Sequence, residues 1–402
     1  MSAATKRQVA FDMLLNVVAT ALPLVVLQVI VLPLMAYNME GEEYGLVVTI
    51  LSAFSVIPGV LGNTLNNIRL IYDKKYKDCS LSGDFNPMVL AASAVSFLAI
   101  IATAGFMGVV DIVSLIMLGV ASAIWLVREY YIVAFRIELN YKAILISNVI
   151  QALGYFLGYG LFLFTREWVL VYAVGQILGL AYVFRKSDLH KEPLRITPLL
   201  KPTLKDTASL VVSNFLSKVM VYSDRIVLHP LIGGNAVAVY YVSTLVGKIL
   251  SMAVSPVNGV MLSYLAKRKS KATKTFAMTM ATGFALCVIA YCVIALCGRP
   301  VLGFLYPMYV DAAMEYISIT SATALVYVLI SMALPFTLKF FAMKWQIAVN
   351  ATTCVIYLGL GLGLYGLFGL MGFCIGALMA NVLKLALLVG LFCLMKPDSS
   401  SL

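Results

Sequence analysis

Histidine is nearly missing from this sequence: His190 and His229 are the only two, and no motif surrounds either. Seven cysteines are present, but Cys287, Cys292, Cys297, Cys354, Cys374 and Cys393 lie in apolar stretches and Cys79 in a lysine-rich loop. None has CxxC or metal-ligand spacing, so all seven read as small apolar residues, and no metal, cofactor or histidine-based triad is expected. Charge is scarce too. Asp, Glu, Lys and Arg make up 12% of 402 residues, about half the share of an ordinary soluble domain. With 62% hydrophobic residues and a mean hydropathy of +0.97, too little polar surface exists to cover a soluble core. The expected outer loops are short and nearly uncharged. That argues against a membrane-bound polysaccharide polymerase or acyltransferase, which would show a large external loop or a polar constellation facing outward. The chain is read as a polytopic membrane protein and not as an enzyme.

What is present is a series of apolar segments, each near the ~20 residues that a bilayer core requires. Twelve are drawn, at 13–36, 44–68, 88–109, 112–133, 143–164, 168–184, 207–228, 236–262, 276–297, part of 301–338, 346–364 and 367–395. The tenth is the least regular: 299–315 reads as an external connection with a short membrane-dipping piece, and its helix is expected from about Tyr316. Lys6 and Arg7 precede a run to Ala36 that is long enough to span, so no cleaved signal peptide is expected.

The net charge of +11 reports topology rather than nucleic-acid binding. Of 29 Lys and Arg, 23 fall in connections on the side of the N-terminus, two (Arg166 and Arg299) on the other, and four (Lys218, Arg225, Lys248 and Lys384) inside apolar segments. This asymmetry places both termini in the cytoplasm and supports an even helix number. The basic loop at 265–274 is suited to anionic headgroups of membrane lipids. The stretch 185–206 carries three prolines and six basic residues. It separates an N-terminal six-helix lobe (1–184) from a C-terminal one (207–402).

The two lobes resemble each other. At an offset of about 198 residues, Asn16 falls on Asn214, Pro33 on Pro230, Tyr44 on Tyr241 and Pro58 on Pro256. At about 202, Lys142 meets Lys344, Asn148 meets Asn350 and Tyr155 meets Tyr357, and Gly175 then meets Gly376. The expected fold is all-α: about twelve transmembrane helices in two six-helix parallel repeats around a central cavity. Polar stripes recur on paired segments: Ser52, Ser55, Gly59, Asn63 and Asn66; Thr244, Lys248, Ser251, Ser255 and Asn258; Asp12, Asn16 and Thr20; Asn148, Gln151, Tyr155 and Tyr159. Individually such residues serve helix packing. Four stripes on repeat-related helices are better explained by one aqueous cavity, and so by transport.

At about 100° per residue, Asn214, Ser217, Lys218, Val221, Asp224 and Arg225 share one helix face. Charges inside a membrane cost roughly 2.5–3.5 kcal/mol each and face partners or water. Two readings fit: a structural Asp224–Arg225 pair, or a polar cavity. Four cations stand against one deep acid, Asp224, with Arg69 and Arg128 adding charge at the cytoplasmic mouth, partly offset by Glu129 and Asp12. Such a cavity favours anions, above all phosphates held by guanidinium. Lys218, Arg225, Lys248, Arg69, Arg128, Lys384, Asn214 and Tyr155 are the expected substrate-binding residues, and Asp224 the ion-coupling candidate.

LPLMAYNMEGEEYGL (32–46), following the early Asn16, and YSDRIVLHPLIGGNAVAVYYV (222–242) resemble the signatures opening the two halves of Wzx-type O-antigen and capsular polysaccharide flippases. These form a branch of the multidrug/oligosaccharidyl-lipid/polysaccharide exporter superfamily. Tyr44, Gly45, Asp224, Arg225, Gly233 or Gly234, and Tyr240 or Tyr241 carry the match, while MEG at 39–41 departs from the usual LG. The resemblance implies a bacterial inner (plasma) membrane location, translocation of an undecaprenyl-diphosphate-linked oligosaccharide from the cytoplasmic to the outer leaflet by alternating access, antiport with H⁺ or Na⁺, and a polysaccharide polymerase as a pathway partner. The alternative is a multidrug exporter of the same superfamily, which would want more intramembrane carboxylates.

Overall fold

Backbone in lipid must satisfy its own hydrogen bonds, and this chain does so by closing almost every apolar run into a helix. The computed structural model describes Leu15 and residues 17–266, 273–341 and 343–395, with side chains described except at 220, 250–266, 338–339 and 343–344. The expected stripe members Asp12 and Asn16 lie outside the described residues, as do the side chains of Ser251, Ser255 and Asn258. Among the described residues every regular element is a helix, and ten stretches are long and apolar enough to cross a membrane.

The first six are α1 (Val17–Ala36), α2 (Gly41–Asp78), α3 (Phe85–Phe106), α4 (Ile112–Ile137), α5 (Tyr141–Thr165) and α6 (Val169–Lys186). Within α1, Val26–Val31 is wound as a π-helix. The helix α4 begins on Asp111, whose carboxylate accepts from the amide and hydroxyl of Ser114. Those bonds hold the Asp111 carboxyl below its usual range. Next comes a continuous run, Leu200–Ala266, broken at Gly233, where φ is 79° and ψ 169°. A residue with a Cβ rarely adopts that conformation, so the run is two helices, α7 (200–232) and α8 (234–266). After α9 (Thr273–Leu305) and α10 (Val310–Phe340), the run Met343–Leu394 divides in the same way at Gly369 (φ 58°) into α11 (343–368) and α12 (370–394). Among the described residues the ten spans, two of them divided in this way, give twelve helices, the number the hydropathy pattern predicts.

The expectation for 299–315 is corrected. Residues 299–305 complete α9, with Pro300 inside the helix, and α10 starts at Val310 rather than near Tyr316. Pro307 falls in the turn between them, and Arg299 pairs with Asp311 across that turn at 2.8 Å. The stretch is thus two helix ends joined by a short turn, with no separate membrane-dipping piece among its described residues.

Contacts divide the chain into two compact units, Met1–Gly234 and Asn235–Leu402. The first therefore holds α1–α7 together with the 187–199 connection. That connection is sewn to α2 and α3 by polar groups. Glu192 takes both guanidinium nitrogens of Arg69 (2.6 and 3.1 Å), and Asp84 accepts from the Thr197 amide and the Tyr76 hydroxyl (both 2.7 Å). Beyond it, Asp206 on α7 accepts from Tyr72 at 2.6 Å. Around these groups Tyr72, Tyr76, Phe85, Tyr130, Tyr131 and Phe135 form an aromatic core.

The helices α5 and α6 approach backbone to backbone. Each carries glycines four residues apart, Gly154 and Gly158 on α5 and Gly175 and Gly179 on α6. A Cβ on Gly154 would lie 2.6 Å from Gly175 Cα, and one on Gly158 2.6 Å from Leu170 O. In lipid this small-residue pairing is what drives helix association. Gly154→Ala or Gly158→Ala is expected to cost about 1–3 kcal/mol, read as a lower Tm in detergent. Gly160→Ala, with open space around it, is the neutral control.

In the second unit Gly376, the repeat partner of Gly175, packs against Leu360 and Gly361 in the same manner. The two-repeat pattern thus reappears as a shared packing device. Phe276, Phe336, Phe340, Phe341 and Phe392 form that unit's aromatic cluster, with Phe276 stacked on Phe392 at 4.1 Å.

Candidate functional site

The helix α2 is the most buried span of the first unit, and α7 runs antiparallel along it, tied at two levels and, just past its end, at a third. Asn214 donates to Thr64 Oγ1 at 3.0 Å, Arg225 Nη1 donates to Ser52 Oγ at 3.0 Å, and the Gly234 amide donates to Glu42 Oε1 at 2.7 Å. As numbering rises on α7 it falls on α2 by nearly equal steps, the register of two straight antiparallel helices. At ~1.5 Å per residue the three ties lie roughly 13–17 Å apart and reach from end to end of a bilayer core.

Between the ties lies the charged face that the sequence pattern predicts. Arg225 is 4% exposed and Asp224 6%. Asp224 accepts from the backbone amide of Arg225 at 2.9 Å. Ser52, while accepting from Arg225, donates to Val48 O, so its hydroxyl is oriented by its own helix. The Ser223 hydroxyl is buried with no hydrogen-bond partner. Lys218 is exposed, its Nζ 5.6 Å from the centre of the Tyr222 ring, a cation–π contact.

The other expected residues are distributed. Arg69 is 5% exposed; its fork is filled by Glu192, with Asp73 at 3.8 Å and the Phe85 ring centre at 4.9 Å. A cargo phosphate would have to displace an intramolecular carboxylate there. Arg128 is also 5% exposed and donates to Asn148 Oδ1, while Asn148 donates to Ala19 O at 2.7 Å, linking α4, α5 and α1. Tyr155 is buried beside it, accepting from Gln151 (2.6 Å) and Gln176 (3.3 Å). In the second unit Lys248 on α8 is half-buried, 6.0 Å from the Tyr241 ring centre, and Lys384 on α12 is buried. Asn214, Lys218, Asp224 and Arg225 therefore share one helix. Arg128 and Tyr155 belong to a separate buried cluster within the first unit, and Arg69 to the 187–199 clip.

Ser52 and Thr64 receive α7, and Glu42 receives the first amide of α8. Ser52 stands on the polar stripe read from the sequence, but nothing in that stripe names its partner helix. The two stretches carrying the family resemblance also meet. A Cβ on Gly45 would fall 1.8 Å from Gly234 O, and one on Gly234 would fall 2.2 Å from Glu42 O. Both glycines are needed for the first turn of α2 and the α7–α8 break to touch.

No family model matches the sequence, and neither does any curated protein sequence. Solved structures do match. An inward-facing multidrug resistance MATE family transporter of the MOP superfamily aligns over 94% of this chain and 98% of its own, with TM-score 0.66 and 13% identity. The lipid II flippase MurJ, in an inward closed conformation, aligns over 96% and 87%, with TM-score 0.70 and 14% identity. An outward-facing MATE transporter aligns over 93% of both chains, with TM-score 0.63 and 13% identity. The fold is that of MATE transporters and MurJ. In this MATE-like fold the described intramembrane charge is mostly cationic, and one of the three ties, Gly234 to Glu42, joins the two resemblance motifs.

Proposed function

We propose that this protein is a flippase. It moves an undecaprenyl-diphosphate-linked oligosaccharide from the cytoplasmic to the outer leaflet of a bacterial inner membrane, by alternating access coupled to H⁺ or Na⁺ and without catalysing a covalent step. The observation that carries the reading is the buried charge. Arg128, Arg225 and Lys384 are each less than a tenth exposed, against one comparably buried acid in the same helices, Asp224. Cations in so poorly solvated a setting favour an anionic cargo, and guanidinium matches the oxygens of a phosphate. The fold shared with a lipid II flippase supports a lipid-borne cargo. In this reading the basic connections face the cytoplasm, where the cargo is loaded.

The MATE neighbours favour a second reading, export of small molecules. Reconstitution separates the two. Proteoliposomes with a fluorescent undecaprenyl-diphosphate oligosaccharide in one leaflet are expected to equilibrate it across the bilayer. The same vesicles are expected not to accumulate a cationic dye under a proton or sodium gradient. Dye accumulation without lipid movement would overturn the proposal in favour of the exporter.

A further inference from the structure

The α7–α8 break has an unusual cap. A helix start leaves its first amides without intrahelical acceptors, and a Ser, Thr, Asp or Asn just before it normally supplies one. Here the residues before α8 are Leu231, Ile232 and Gly233, and none of them can do so. The acceptor comes instead from another helix: Glu42, in the first turn of α2, accepts from Gly234 N at 2.7 Å. A carboxylate is well matched to the positive end of a helix. It is also the one common cap that a proton can weaken. The steric fit around it is tight, since Gly45 and Gly234 each exclude a Cβ against the opposing backbone.

A second observation points to the same place. His229, just over a turn before the break, is 9% exposed, and its Nε2 is buried without a hydrogen-bond partner. Along the chain it stands five residues before Gly234, whose amide Glu42 holds. The remaining charged groups nearby are Asp224 and Arg225, further down α7, and Glu43 on α2, which lies among Glu40, Arg166 and Glu167. A buried, unpartnered imidazole thus stands about a turn from the amide that this carboxylate holds at the helix break.

We propose that Glu42 and His229 form a proton-binding latch on the α7–α8 break, closed when Glu42 is ionised and released when it takes up a proton. Protonation leaves a neutral acid, a weaker acceptor for the Gly234 amide, and frees Gly233–Gly234 to change conformation. The latch is independent of what the protein carries. It locates proton response at a carboxylate other than Asp224.

Hydrogen exchange of the full-length protein in nanodiscs reads this directly, through peptides covering 228–238 and with rates corrected for intrinsic pH dependence. The wild type is expected to show about tenfold greater protection at pH 7 than at pH 3.5, below the ordinary carboxylate range, the scale of losing a charged hydrogen bond. Glu42→Gln keeps an acceptor without a charge, so its protection should be intermediate and flat with pH. Glu42→Ala and Gly45→Ala should be poorly protected at both values. His229→Asn should move the midpoint of the pH profile while leaving the high-pH protection in place. Should Glu42→Ala fail to fold, as judged by its Tm, Glu42→Gln carries the test alone. Wild-type protection that does not change with pH would overturn the latch, as would a pH response surviving in Glu42→Gln. An unmoved midpoint in His229→Asn would remove the histidine from it.

Discussion

Arg225→Ala is expected to abolish movement of the lipid-linked cargo while the protein still inserts and folds. Arg225 is almost wholly buried, and its Nη1 is held by Ser52 on the neighbouring helix. The guanidinium is thus kept in place before cargo arrives, and little further ordering is required on binding. A hydrogen bond to a charged group contributes about 1.5–3 kcal/mol, so losing one phosphate contact lowers transport by about tenfold or more. Arg225→Lys keeps the charge and loses the planar fork, and should fall between wild type and Arg225→Ala. Ser52→Ala tests the positioning itself. It removes no charge, yet should reduce transport by releasing Nη1, with a smaller effect than Arg225→Ala. Lys218 is exposed and needs only a point charge, so Lys218→Arg should retain part of the activity that Lys218→Ala loses. The measurement is leaflet exchange in proteoliposomes, with the Tm of each variant as a control. Normal exchange by a variant carrying Lys218→Ala, Arg225→Ala and Lys248→Ala together would return these cations to a packing role.

The sequence carries some of this and conceals the rest, for physical reasons. Helix number and the charged face of α7 are legible, because lipid enforces long apolar runs and 100° periodicity sorts Asn214, Lys218 and Arg225 onto one side. The partner of that face is not legible. Thr64 and Ser52 are small hydroxyls, such as any membrane helix uses for packing, and only three dimensions show that they receive α7. Hydropathy misplaces the start of α10 because Arg299, Pro300 and Pro307 resemble a loop, whereas Pro300 lies within α9 and Arg299 pairs with Asp311. The acids of 185–206 are overlooked for the opposite reason. Six basic residues dominate that composition, yet Glu192 and Asp206 make the contacts that anchor the segment. The tight glycines of α5 and α6 do leave a signal, a four-residue spacing on each helix, but in a chain with 28 glycines the spacing does not identify its partner.

Arg69 is where the two roles for a cation can be told apart. As a cargo ligand it would be impaired by Arg69→Ala and released by Glu192→Ala, which strips away the competing carboxylate. As a clip it would suffer from both changes alike. The geometry favours the clip: two parallel bonds to Glu192, a side chain only 7% exposed, and the Phe85 ring beneath it. Removing one partner of such a pair leaves a buried charge unanswered and costs about 3–5 kcal/mol. Glu192 retains 18% exposure, so water can partly replace the arginine, and the lower end of that range, about 3 kcal/mol, is expected. Either single variant should lower Tm and expose 187–199 to limited proteolysis. The double variant Arg69→Met, Glu192→Leu should recover much of the loss, because no charge is then stranded and apolar packing replaces the pair. Asp84 would still hold Thr197 in that variant, and Asp206 would still hold Tyr72, so the connection keeps its place. Faster cargo exchange by Glu192→Ala, with an unchanged Tm, would instead make Arg69 a ligand held in reserve.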